Sequence, residues 1–159
     1  MSPRTLIIEG ITIDVQSDRV TYSTPWYRVD GDGDPANTYH DRCWQRDTSL
    51  HGPDGRPVNA MAMPYVVVNP YIAASLPSVF LGGLALISYR GKTVSSVMAD
   101  IGPHNKIGEG SEALAAALGI PASSVRGGFD HDPDHPVEWN LYPGKAALVN
   151  GVQFALHHL

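Results

Sequence analysis

Apolar residues in this chain fall in short runs, alternating or uninterrupted, that are separated by Gly, Pro and Asn. Strand side chains alternate between two faces, so runs of this length and composition predict β-strands. The predicted strands are Thr5–Val15 and Arg19–Tyr22 (together a hairpin), Tyr65–Val68, Leu84–Tyr89, Thr93–Ile101, Val137–Tyr142, Ala146–Val149 and Val152–Leu156. Turns are predicted at the Arg90-Gly91, Pro143-Gly144 and Asn150-Gly151 pairs.

One segment, Ser111–Leu118, has a helical pattern. It is rich in Ala, Leu and Glu, its Leu114 and Leu118 are four residues apart, and Gly119 follows as a stop signal. No period persists from Thr24 to Asn59, where Asp, Gly and Pro are interleaved with aromatic residues, so a long ordered loop is expected there. The sequence thus predicts a β-rich fold with one short helix and a long N-terminal ordered loop.

Composition narrows the class of protein. With 159 residues, 43% of them hydrophobic and 17% charged, the chain is expected to form a single folded domain over residues 1–159. The net charge is −5 and the basic residues form no cluster, which argues against a nucleic-acid partner. No apolar stretch approaches the roughly 20 residues that span a bilayer, so no membrane partner is expected. Met1–Gly10 contains no apolar run of signal-peptide length.

Cys43 is the only cysteine, which excludes an internal disulfide and a cysteine-built zinc site. The tract Asp130–His135 contains metal-ligating residue types, but its proline-rich context defines no common ligand face. We therefore expect no cofactor and no metal.

The strongest chemical signal is the segment DIGPHNKIGEGS, in which Asp100 and Glu109 lie on either side of a glycine-rich turn. Cleavage of a glycosidic bond uses such a pair of carboxyl groups, because one protonates the leaving oxygen while the other activates water or attacks the sugar. The structural alternative is that Asp100 only ends a strand and Glu109 interacts favourably with a helix N-terminus.

This segment resembles the catalytic segment of glycoside hydrolase family 75, the endo-chitosanases. The stretches VDGDGDP and QRDTSL, a Gly127-Gly128 pair and the Tyr142-Pro143-Gly144 sequence agree with that family, so the resemblance runs from about residue 30 to residue 144. It implies a six-stranded double-psi-like β-barrel and hydrolysis of a chitosan-like polymer with inversion of configuration. By position the catalytic pair is Asp100 and Glu109. The leading hypothesis has Glu109 as general acid and Asp100 as general base, and the reverse order stays open.

Asp30, Asp32 and Asp34 are candidate substrate-binding residues, because chitosan carries ammonium groups that pair with carboxylates. A solvated acidic turn is the plain alternative. A calcium loop that also uses Asp41 is a weaker one, because Pro35 occupies the position of the sharp-turn glycine.

Further candidates for substrate binding are three aromatic residues and one histidine. Trp26, Tyr39 and Trp44 lie in the long loop and have the flat rings on which sugars stack, although aromatic side chains are more often part of a core. His104 lies inside the turn between Asp100 and Glu109, where it could tune a carboxyl pKa or simply be exposed.

These features predict an endo-acting hydrolase of β-1,4 bonds in chitosan or a related amino-sugar polymer, working as a monomer. A polysaccharide substrate would place the activity outside the cytoplasm. Two alternatives stay open at this level: a muramidase-like hydrolase of peptidoglycan, and a non-catalytic carbohydrate-binding module.

Overall fold

The computed structural model describes residues 4–157, so the first three residues of the stretch Met1–Gly10 lie outside the described part. The fold is β-rich, as predicted, with few helical residues. The strands are β1 (Arg4–Ile8), β2 (Ile11–Val15), β3 (Val20–Thr24), β4 (Arg28–Asp30), β5 (Tyr65–Val68), β6 (Gly83–Tyr89), β7 (Lys92–Ile101), β8 (Glu109–Ser111), β9 (Val137–Ala146), β10 (Leu148–Val149) and β11 (Val152–Gln153), and the helices are α1 (Pro70–Ala73) and α2 (Glu112–Leu118).

Nine of these strands form one curled sheet, a half-barrel, in the order β1-β2-β3-β9-β6-β7-β5-β8-β4, while β10 and β11 form a separate hairpin. Most neighbours are antiparallel, but β4 runs parallel to β8 and β5 runs parallel to β7. The predicted long loop, Thr24–Asn59, was wrong at its start, because Arg28–Asp30 form β4 and pair with β8. The rest of it, between β4 and β5, supplies no further strand of the sheet, as predicted. Across residues 4–157 no helix is long and apolar enough to cross a membrane.

The sheet curls until its two ends contact each other. Glu9, in the turn between β1 and β2, accepts hydrogen bonds from the Arg28 guanidinium of β4 at 2.5 and 2.7 Å. The backbone N–H of Ile107, just before β8, donates to the same carboxylate at 2.8 Å. The first hairpin is thereby fixed against the opposite edge of the sheet.

The N-terminal prediction was wrong in one detail. The predicted single strand Thr5–Val15 is itself a hairpin, in which Glu9 and Gly10 form the turn with φ angles of 52° and 75°. Both residues are left-handed, as the tight two-residue hairpin turn requires, and the Gly supplies this conformation without strain. The N-terminal region is therefore a three-stranded meander.

The Pro143-Gly144 pair was also misjudged, because it lies inside β9 and does not reverse the chain. Leu84 of β6 pairs with Tyr142, whereas the preceding Gly83 pairs with Ala146, so the intervening residues form an irregularity in one continuous strand. A proline and a left-handed glycine fit such an irregularity as well as a turn.

The structure contains a second short helix that the sequence did not predict. The Asn69 side chain caps α1 by accepting from the N–H of Tyr71, and Pro70 occupies the first helical position. Four residues are too few to produce a helical period. The predicted helix is confirmed as α2, with the Ser111 side chain as its N-cap and Gly119 in the left-handed conformation at its end.

The interior consists of two apolar clusters on opposite faces of the sheet. Along β5, Val66 and Val68 belong to one cluster, while Tyr65 and Val67 belong to the other. The first and larger cluster contains the fully buried Trp139. The second face of β5 is the one that carries the candidate site.

Candidate functional site

Asp100 and Glu109 lie on either side of the same residue of β5. Val67 pairs with Asp100 of β7 on one side and with Glu109 of β8 on the other. Neighbouring strands are about 4.8 Å apart, so the two acidic backbones are separated by about 10 Å. Residues in register point to the same face of a sheet. The sequence-predicted pair is therefore brought together around Val67.

A β-bulge decides which way Asp100 points. Val66 pairs with Met98 but Val67 pairs with Asp100, so Ala99 is skipped in the register. Strict alternation along a strand would place Asp100 on the same face as Met98, and the bulge breaks that alternation. Without the bulge Asp100 would pair with Val68 and face the larger apolar cluster, whereas the bulge turns it towards the face of Val67.

The two acids open into a cleft of about 460 Å³. Its walls come from the end of β4, the loop after it, the middle of β5, the end of β7 and the start of β8. The residues that line it are Asp30, Asp32, Gln45, Asp47, Thr48, Ser49, Val67, Asp100, Ile101, Gly102, Pro103 and Glu109.

Glu109 is a half-buried strand residue and not part of the first turn of α2, which begins at Glu112. The helix-dipole alternative therefore does not account for its position. Burial, and after it the charges of Asp100 and Asp32, raise the pKa of Glu109 to about 7, while Arg28 and Lys106 oppose the shift. A substantial fraction of this carboxyl group holds its proton at neutral pH.

Asp100 is 9% exposed and has a different environment. Its Oδ1 accepts two hydrogen bonds from Ser49, from the backbone N–H at 3.0 Å and from the hydroxyl at 2.9 Å. Burial raises the pKa of Asp100, while the bonds from Ser49 act in the opposite direction. Hydrogen-bond donors of this kind stabilise the ionised form of a carboxyl group.

Asp30 and Asp32 complete the acidic lining. Asp30, at the end of β4, accepts from the Tyr65 hydroxyl at 3.0 Å and from the backbone N–H of Asp32 at 3.0 Å. Asp32 accepts from the backbone N–H of Gln45 at 2.8 Å. Burial raises the pKa of both carboxyl groups, and Glu109 raises that of Asp30 further.

Oxygen atoms of Asp30, Asp32 and Asp100 lie within 4.8 Å of one another. This spacing would suit a shared cation, either a metal ion or the ammonium group of an amino sugar. In the described part of the chain neither Asp34 nor Asp41 joins this group, so the acids do not converge in the manner of the calcium-loop alternative.

Asp34 lies outside the cleft lining and closes its own loop. Its carboxylate accepts from the backbone N–H groups of Ala36 at 3.1 Å and Thr38 at 2.8 Å. Trp44 packs against the same loop, because its indole N–H donates to the Asp34 carbonyl at 2.8 Å. Of the three acidic residues predicted to bind substrate, the cleft contains Asp30 and Asp32.

The remaining predicted site residues are likewise outside the lining of the cleft. The Trp26 indole donates to the Ile107 carbonyl at 2.9 Å, and the Arg28 guanidinium lies over its ring at 5.0 Å. His104 is exposed and makes an edge contact with the Tyr71 ring, with the two centroids 5.9 Å apart. Tyr39 is half-buried in the long loop. Within residues 4–157, the cleft lining includes none of Trp26, Tyr39, Trp44 and His104.

The Asp130–His135 tract makes local ion pairs at the surface. Asp132 contacts the His135 ring at 3.2 Å and the Arg90 guanidinium at 3.8 Å. It lies apart from the acidic cleft.

Sequence reasoning missed two residues that hold the acids in place, Ser49 and Tyr65. Ser49 belongs to the QRDTSL stretch that carried part of the resemblance, which was the signal available for it. Tyr65 looked like an ordinary apolar strand residue, and its sequence neighbours gave no sign that its hydroxyl contacts Asp30.

No protein-family model matches this chain, and no curated protein is significantly similar to it. The likeness to glycoside hydrolase family 75 therefore stays a prediction from the motifs.

Proposed function

We propose that the protein is an endo-acting glycoside hydrolase that cleaves chitosan or a related amino-sugar polymer by an inverting mechanism. The observation that carries this proposal is the position of Asp100 and Glu109 on opposite sides of Val67, in one acidic cleft. A backbone separation of about 10 Å accommodates the carboxyl spacing of about 6.5–9.5 Å that inverting enzymes need for a water molecule.

The two environments support a division of roles. Glu109, whose pKa is raised to about 7, is the general acid that gives its proton to the leaving glycosidic oxygen. Asp100 accepts hydrogen bonds that favour its carboxylate form, so it is the general base that takes a proton from the attacking water. The water oxygen forms the new bond to the anomeric carbon as the old glycosidic bond breaks.

The acidic lining of the cleft favours a substrate that carries positive charge. Burial and the neighbouring carboxylates raise the pKa of Asp30 to about 8 and that of Asp32 to about 6, so Asp32 is the more readily ionised of the two. In their ionised forms both would add attraction for the ammonium groups of a deacetylated polymer. The parallel pairs β4 with β8 and β5 with β7, within an otherwise antiparallel curled sheet, are compatible with the double-psi-like barrel that the resemblance implies.

The test is incubation with chitosan and, in parallel, with purified peptidoglycan, followed by sizing of the products. We expect internal cleavage of chitosan, and NMR of the first product should show the inverted anomer. Asp100→Asn and Glu109→Gln should each reduce turnover by at least about 100-fold while the variants stay folded, since the substitutions remove only proton chemistry.

Asp14→Asn is the matched control, because Asp14 is exposed on β2 and outside the cleft. Dialysis against a chelator should leave turnover unchanged if the acids bind an ammonium group and not a metal. Cleavage of peptidoglycan but not of chitosan would show that peptidoglycan is the substrate. Binding without cleavage would favour a carbohydrate-binding module, and near-normal activity of either acid variant would contradict the mechanism.

A further inference from the structure

Ser49 contacts Asp100 through both of its donors. The backbone N–H and the hydroxyl of Ser49 both donate to Oδ1 of Asp100, at 3.0 and 2.9 Å. The Ser49 hydroxyl oxygen also accepts from the backbone N–H of Ile101 at 3.3 Å. Ser49 therefore bridges the long loop and the end of β7 at the residue that follows the bulge.

The backbone around Ser49 is itself held firmly. The N–H of Leu50 donates to the carbonyl of Ala99 at 2.9 Å, which is the residue skipped in the register of β7. The Thr48 hydroxyl donates to the Leu50 carbonyl at 2.7 Å and accepts from the N–H of Val58 at 2.9 Å. The loop thus supplies a hydrogen-bond donor to the carbonyl of Ala99 at the bulge, and it holds Ser49 in a fixed position.

The charges that face Asp100 give these bonds their importance. Asp30, Asp32, Asp47 and Glu109 line the same cleft, and each of them disfavours an additional negative charge when ionised. The basic groups Arg28 and Lys106 lower the pKa of Glu109, whereas the largest effects that lower the pKa of Asp100 are hydrogen bonds from Ser49. The two donors of Ser49, followed by the backbone N–H of Ile101, are the groups that favour a carboxylate at position 100.

We propose that Ser49 is the positioning residue of Asp100: it saturates Oδ1 and fixes the carboxylate plane, so that Oδ2 is directed to the attacking water. This inference rests on the proposed hydrolase function and deepens it. In Ser49→Ala the backbone donor remains, so the defect should be smaller than that of Asp100→Asn.

The experiment compares Ser49→Ala and Ser49→Thr with the wild type on chitosan. In Ser49→Ala we expect kcat to fall by about 10- to 100-fold with KM changed less than about 2-fold, because the lost bond to a charged group acts on the reacting carboxylate and not on substrate affinity. The acidic limb of the kcat/KM profile should move to higher pH, since loss of a donor raises the pKa of Asp100. Ser49→Thr keeps the hydroxyl and should recover most of kcat.

Ser88→Ala is the matched control. The Ser88 hydroxyl forms a hydrogen bond with the hydroxyl of the exposed Thr93 on the β6–β7 hairpin, and Ser88 does not line the cleft. A melting curve for each variant separates unfolding from a catalytic defect. An unchanged acidic limb in Ser49→Ala, or a Ser49→Thr variant as impaired as Ser49→Ala, would overturn the positioning role. If Asp100→Asn keeps its activity, the proposed function itself fails, which is a different result.

Discussion

The two halves of the curled sheet bury side chains of different chemistry, and the consequences for stability are opposite. The packed half, made of β1, β2, β3, β9 and β6, surrounds Trp139, whose ring stacks between Tyr22 at 6.0 Å and Tyr27 at 5.7 Å. The acidic half, made of β7, β5, β8 and β4, buries Asp30, Asp100 and much of Glu109.

Burial in the two halves contributes to the free energy of folding with opposite signs. Burial of an aromatic ring stabilises the fold by removing apolar surface from water, and the Trp139 indole N–H is satisfied by the Thr24 hydroxyl at 2.9 Å. Burial of a carboxyl group opposes its ionisation and raises its pKa. Apolar burial therefore stabilises a fold in which the buried carboxyl groups of the acidic half are unfavourable at neutral pH. Carboxyl groups with pKa values perturbed in this way are found preferentially at functional sites.

The largest effect is expected from the packed half. Trp139→Ala should lower the free energy of unfolding by about 3–5 kcal/mol, because it leaves a cavity and removes the indole N–H from which the Thr24 hydroxyl oxygen accepts. Trp139→Phe should cost less, and either can be measured by urea unfolding. In the folded fraction the pH profile of activity should stay that of the wild type, since Trp139 does not line the cleft.

Trp44→Ala is the control for this change, because its half-buried ring lies in the long loop beside the acidic half. We expect it to cost clearly less than Trp139→Ala. Equal losses from the two variants would show that the contrast between the halves is wrong.

The next largest effect is an increase in stability, and it comes from a substitution in the acidic half. The pKa of Glu109 is raised from 4.5 to about 7 in the folded state, so the fold binds this proton more tightly than the unfolded chain does. The resulting penalty is absent below pH 4.5 and grows as pH rises through 7. Glu109→Gln should therefore stabilise the protein at pH 8, by up to about 3 kcal/mol, and change little at pH 4.

Thermal or urea unfolding at the two pH values measures this effect. Glu138→Gln, an exposed substitution on β9 in the packed half, should show no such dependence on pH. A Glu109→Gln protein that is less stable than wild type at pH 8 would contradict a strained acidic half.

The smallest effect tests which acids meet the substrate. Asp32→Asn should raise KM on a highly deacetylated polymer by about 3- to 10-fold, and less on a largely acetylated one, because one charge-assisted contact with an ammonium group is weakened. Added salt should reduce the difference, since exposed charges are screened over about 8–10 Å.

Asp34→Asn is the comparison, because its carboxylate is occupied by its own loop and lies outside the cleft. It should leave KM on both polymers near the wild-type value. Equal effects of Asp32→Asn on the two polymers would remove the ammonium-binding role of the acidic half.

Much of the candidate site could be predicted because its chemistry is local in sequence. Asp100 and Glu109 lie within one short segment, and the glycines and the helix that follow it marked the pair. The aromatic residues could not be placed in the same way, since the pattern of a loop does not say which side of a ring faces the core. Trp26 and Trp44 are held by backbone carbonyls of Ile107 and Asp34, which no local spacing indicates.

The sequence by itself determined the β-rich class, most strand positions, the helix α2 and the identity of the acidic pair. These depend on side-chain alternation and on turn residues, which act over a few neighbours. Only the tertiary structure decided that β5 lies between β7 and β8, that a bulge at Ala99 turns Asp100 out of the core, and that Ser49 and Tyr65 hold the acids. Those features depend on hydrogen bonds between residues far apart in the chain, whose partners are fixed only when the whole sheet has curled.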